Sequence, residues 1–123
     1  MPHRSILIVD DESAVRTLLR KILESAGYQT IVEAQDGLAA LEQLKKRKEF
    51  KLVITDIAMP RMDGAELSKL VRSEYPQTKI LCISTYAGPL SPNGHYFLAK
   101  PFGPKALLAM VRDVLDISTE GAR

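Results

Sequence analysis

Three acids, a hydroxyl and a lysine stand at the ends of short apolar runs in this 123-residue chain. Asp10 and Asp11 follow Ile6-Leu7-Ile8-Val9, and Asp56 follows Leu52-Val53-Ile54-Thr55. Ser84 closes Lys79-Ile80-Leu81-Cys82-Ile83, and Lys100 follows Phe97-Leu98-Ala99. A lone aspartate at a strand end is ordinary turn chemistry. Carboxylates gathered on one edge of a sheet are a different matter, because they repel unless something positive sits among them. Oxygen donors without histidine or thiolate suit a hard divalent cation, Mg²⁺ or its substitute Mn²⁺. A lysine and a hydroxyl opposite them suit a phosphoryl group. The pattern predicts a carboxylate, a divalent cation and a phosphoryl group meeting at one point.

The five ends share an edge only if the strands run parallel, and the intervening segments predict that they do. Val15, Leu18, Leu19, Ile22, Leu23 and Ala26 recur at helical spacing after Ser13, a candidate cap, and Gly27 supplies the stop. Tyr28 to Ala34 predicts a strand. Asp36 is placed to cap a second helix with Leu38, Leu41 and Leu44 on its inner face. Lys45-Lys46-Arg47-Lys48 then complements the negative end of the helix dipole as a solvated basic face. Asp63-Gly64-Ala65-Glu66 is a capping-box-like start for a third helix with Leu67, Leu70 and Val71 inward, ended by Pro76. Pro104 suits the first turn of a last helix, with Leu107, Leu108, Val111, Val114 and Leu115 inward. Strands alternating with helices make βαβ units with right-handed crossovers. The fold class is α/β, a doubly wound five-stranded parallel sheet of order 2-1-3-4-5, whose carboxyl edge forms ligand crevices.

The length suits a single domain over residues 1–123, with a core from about residue 5 to residue 117 and a tail over 118–123. A net charge of +2 is too weak a bias for direct nucleic-acid binding, and the basic cluster lacks interleaved aromatics. Cys82 is the only cysteine, so no internal disulfide is available. No signal-like start or membrane-length apolar run is present, and the expectation is a cytoplasmic domain without membrane contact.

At these residues the chain resembles the receiver domain of two-component response regulators. The matching pieces are Val9-Asp10-Asp11, Asp56-Ile57-Ala58-Met59-Pro60-Arg61-Met62-Asp63-Gly64, Ile83-Ser84 and Lys100-Pro101-Phe102. Each is common alone, but in this order and at strand ends they are specific. The resemblance implies a flavodoxin-like fold and Asp56 as phosphoacceptor, attacking a phosphohistidine on a sensor histidine kinase or phosphotransfer protein. It implies that Asp11 and Asp56 hold Mg²⁺ directly, with Asp10 acting directly or through water and the Ala58 backbone carbonyl completing the set. Lys100 would pair with a phosphoryl oxygen, the Lys100-Pro101 bond would be cis, and Ser84 and Phe97 would form the switch. The output partner is not implied, and signalling rather than enzymatic turnover is the expected role.

The chain departs from the family between Ser84 and Phe97. Two prolines, two glycines and an Asn-Gly pair fall in residues 85–96, which carry no helical stripe. The family's fourth helix is therefore expected to be missing or reduced to a turn. Two other readings stay open. One is a receiver-fold interaction module or phosphate sink that does not switch. The other is an aspartate-nucleophile phosphohydrolase, which usually has a second acid two residues after the first strand's nucleophile; here Glu12 follows Asp10, without a cap domain.

Overall fold

A computed structural model of the chain describes residues 5–46, 50–56, 64–84 and 96–121. From the first strand to the fourth its described elements alternate between strand and helix, as the hydrophobic pattern requires. The elements are β1 (Ile6–Val9), α1 (Ser13–Ser25), β2 (Ile31–Ala34), α2 (Gly37–Lys46), β3 (Leu52–Asp56), α3 (Gly64–Glu74), β4 (Lys79–Ser84), β5 (Tyr96–Ala99) and α4 (Pro104–Gly121). The strands form one parallel sheet of order β2-β1-β3-β4-β5, the order expected from the sequence.

Strand periodicity divides the core between the two faces of the sheet. Ile6, Ile8, Leu52, Ile54, Leu81 and Ile83 pack with Leu19, Ile22 and Leu23 of α1 and Leu107, Val111 and Val114 of α4. Leu7, Val9, Val53, Ile80 and Cys82 face the other way, onto Ala40 and Leu44 of α2 and Leu67 and Val71 of α3. Central strands buried on both faces read as continuous apolar runs. At the amino edge, Ser5 O accepts the Lys51 N–H at 2.9 Å, and Thr78 Oγ1 donates to Phe50 O at 2.7 Å, closing off buried polar groups.

Several local expectations differ from what is observed. Leu18 and Leu38 lie on the outer side of their helices, 55% and 48% exposed, because the inner lines run through Leu19, Ile22 and Leu23 and through Gly37, Ala40 and Leu44. Ser13 is the first residue inside α1, not its cap. Glu12 stands at the cap position without a side-chain cap bond, since the preceding turn is held by Asp10 instead. Asp36 does cap α2, accepting the Ala39 N–H at 2.8 Å. β2 begins at Ile31 rather than Tyr28, because ladder pairing with β1 starts at Ile6↔Ile31. α4 continues to Gly121, past the expected end near Ile117; Ser118, Thr119 and Glu120 contain no breaker, and glycine stands last. The segment expected to lack the family's fourth helix, 85–95, lies outside the described residues, as does the capping position Asp63.

Candidate functional site

Strand register brings the charged ends together. Val9 pairs with Thr55, so Asp10 and Asp56 follow one step on, side by side at the carboxyl edge. Asp56 pairs with Ile83 and Ser84 with Ala99, so Ser84 and Lys100 flank the same edge. One oxygen from each of Asp10, Asp11 and Asp56 lies within 4.8 Å of the other two. Lys100 Nζ is 3.5 Å from Asp56 Oδ2. The Lys100-Pro101 peptide is cis. Asp10 is buried, Asp56 is half-buried and Asp11 is exposed, so the cluster grades from the core to solvent.

The acidic turn between β1 and α1 is tied on several sides. The Asp10 N–H donates to Ala34 O at 3.1 Å, continuing the β2 ladder past the end of the strand. The Glu12 N–H donates to Asp10 Oδ1 at 2.9 Å, and Arg16 N–H donates to Glu12 O at 3.2 Å. Arg16 Nη1 donates to Asp10 O at 2.7 Å. Burial is the main influence on the Asp10 carboxyl and pushes its pKa above the ordinary aspartate value. The Glu12 N–H acts in the opposite direction, the neighbouring Asp56 adds to the rise, Lys100 opposes it, and Asp11 adds a little more.

The donor set fits a hard cation. All three groups are carboxylates, and neither histidine nor thiolate is among them. Two oxygens on one Mg²⁺ stand at most about 4 Å apart, given bonds near 2.1 Å. Carboxylate oxygens that lie within 4.8 Å of one another would draw inward to share one ion, since neighbouring oxygens on an octahedral Mg²⁺ stand about 3 Å apart.

Phe97 is half-buried and packs against the core on the α2/α3 face, where it pairs in register with Cys82. Ser84 is located at the end of β4 by its backbone. Ala58, the expected backbone ligand, lies outside the described residues. The sequence reading did not single out Arg16, Arg20 or Glu33. Arg16 and Arg20 are spaced i,i+4 on α1 and both reach Glu33 on β2, through Nε–Oε1 at 3.1 Å and Nε–Oε2 at 2.6 Å. The available signal was a glutamate inside an otherwise apolar strand, facing a helix with two arginines one turn apart.

A doubly wound parallel sheet with three carboxylates that could hold a cation and a lysine beside them at its carboxyl edge defines the class of α/β domain to which the site belongs. The family model for the response regulator receiver domain matches residues 6–112, and the chain belongs to that family. It is 36% identical to a chemotaxis protein CheY homolog of Campylobacter jejuni over 95% of this chain and 97% of that one. The solved structure of chemotaxis protein CheY4 of Vibrio cholerae superposes with a TM-score of 0.77 at 36% identity, over 89% of this chain and 97% of that one. A CheY-like receiver domain protein from Methanospirillum hungatei superposes with a TM-score of 0.85 at 28% identity, over 96% and 98% of the two chains. Among the described residues no helix is long and apolar enough to cross a membrane.

Proposed function

We propose that the chain accepts a phosphoryl group on Asp56 from the phosphohistidine of a sensor kinase or phosphotransfer protein. The convergence of Asp10, Asp11 and Asp56 beside Lys100, in a receiver-family chain, is the observation that carries this reading. An Asp56 carboxylate oxygen forms the new bond to phosphorus as the P–N bond breaks. The electron pair of that bond passes to the imidazole nitrogen, which takes up a proton. Mg²⁺ held by Asp10, Asp11 and Asp56 would draw charge from the transferring oxygens. Lys100, already directed at Asp56, would then pair with a phosphoryl oxygen and offset the charge that remains. Burial of Asp10 keeps one side of the cluster dry, and exposed Asp11 leaves the other open to donor and cation. The role is that of a signalling acceptor, with Ser84 and Phe97 as the elements that respond.

The test is intact-mass measurement after incubation with a small phosphodonor, with and without Mg²⁺. A phosphate-sized mass gain that requires Mg²⁺ and disappears in Asp56→Asn is the expected result. Equal labelling of wild type and Asp56→Asn would refute the assignment.

A further inference from the structure

Arg16 is the only described side chain shown bonding at once to the backbone of the acidic turn and to a second strand. Its Nη1 holds Asp10 O at 2.7 Å while its Nε holds Glu33 Oε1 at 3.1 Å. The guanidinium is largely sheltered, with 17% of its side chain exposed, and Glu33 is 29% exposed. Glu33 is fixed in turn by Arg20, whose Nη2 also donates to Ile31 O at 2.9 Å on the same strand. The bond from Arg20, with a smaller one from Arg16, holds the Glu33 carboxyl below its ordinary pKa despite partial burial. The result is a braced chain of contacts running from β2 through Glu33 and Arg16 to the Asp10 carbonyl.

We propose that Arg16 is a positioning residue for the divalent cation, setting the acidic turn in its ligand-ready conformation; this rests on the phosphoacceptor reading above. The reasoning is geometric. The three carboxylates repel one another, so without a constraint the exposed turn would relax by moving Asp11 outward. The Asp10 N–H is fixed to β2, and its carbonyl is fixed by Arg16, so the peptide on each side of Asp10 has a set orientation. Glu33 also occupies Arg16 Nε, which keeps this cation directed at a carbonyl and away from the carboxylates that the metal needs. Two different nitrogens of a planar fork perform the two tasks, and a lysine ammonium at position 16 cannot span both partners in that geometry. Arg20 touches Glu33 and β2 but makes no described contact with the acidic turn, so it is the internal control.

The experiment is a Mg²⁺ titration of the unphosphorylated protein, followed by amide chemical shifts of residues 10–12 and 56, with thermal unfolding of each metal-free variant alongside. Loss of a group that orients metal ligands costs roughly tenfold or more in affinity. Arg16→Lys and Arg16→Gln are each expected to raise the Mg²⁺ Kd about tenfold, whereas Arg20→Lys stays within about twofold. Unchanged affinity in Arg16→Lys overturns the proposal, and so does equal weakening by Arg16→Lys and Arg20→Lys, which would mark a general loss of stability. Absence of Mg²⁺ binding in the wild type would instead overturn the phosphoacceptor reading and this inference with it.

Discussion

Asp10 carries the cost of the site most directly. It is 1% exposed, its carboxyl is pushed above the ordinary value of 3.8 chiefly by burial, and two more carboxylates lie beside it. A carboxyl whose folded-state pKa is raised holds its proton more tightly in the folded protein. Metal-free stability is therefore lost as pH rises from the ordinary value through the raised one. Asp10→Asn removes that loss and keeps an oxygen for the Glu12 N–H. In the absence of divalent cation, the variant is expected to be more stable than wild type at pH 7 by about 1 kcal/mol, or about 4 °C in Tm. The gain shrinks toward pH 3. Adding Mg²⁺ should reverse the order, because cation binding stabilises only the fold that can hold it. Thermal scans at both pH values, with and without Mg²⁺, check this; a variant less stable than wild type without cation would show that the carboxylates are not in conflict.

Among the elements, the helix stops and strand ends are where local chemistry decides the structure. Gly27 ends α1 with φ +98°, a conformation that a Cβ disfavours, while an added Cβ would meet nothing within 4 Å. Gly27→Ala is therefore expected to cost about 1 kcal/mol from backbone conformation alone, read by urea unfolding with an unchanged m-value. A stability change within about 0.3 kcal/mol would mean that the turn relaxes into a different conformation. The strands and their order were legible because each apolar run ends on a polar residue and the connecting segments carry helical periodicity. Asp10, Asp11, Asp56 and Lys100 were legible for the same reason, since parallel topology converts strand ends into neighbours. Leu18 and Leu38 were not. A periodic stripe locates a face to within about one residue's rotation, and only packing selects which edge of it is covered. The Arg16–Glu33 brace was equally hidden, since it joins residues 17 apart in sequence across a helix and an edge strand. Charged residues on a helix read as solvent-facing until a partner strand is placed beside them.

At the scale of the whole molecule, the question is whether charge at the carboxyl edge is transmitted to β5. Ser84 ends β4, Phe97 lies in β5 against the α2/α3 core, and Lys100 follows at the site itself, so the site and the outer strand share one short stretch of chain. Phe97 is only half-buried, and the strand it belongs to is otherwise intermediate or exposed throughout. Such an edge strand has few buried contacts to lose on rearrangement, which places it at the low-stability end of the fold. A phosphoryl group on Asp56 would draw Lys100 and the Ser84 hydroxyl toward it and shift the balance of Phe97 between two packings. The expected outcome is a change in amide exchange on phosphorylation confined to residues 84–102, with β1 and β3 unaltered. In Phe97→Ala the site should still be phosphorylated, but the exchange difference beyond Lys100 should be lost. Phosphorylation with identical exchange in that segment would instead make the protein a phosphate sink or a non-switching module. Its function would then reside in the chemistry of Asp56 alone.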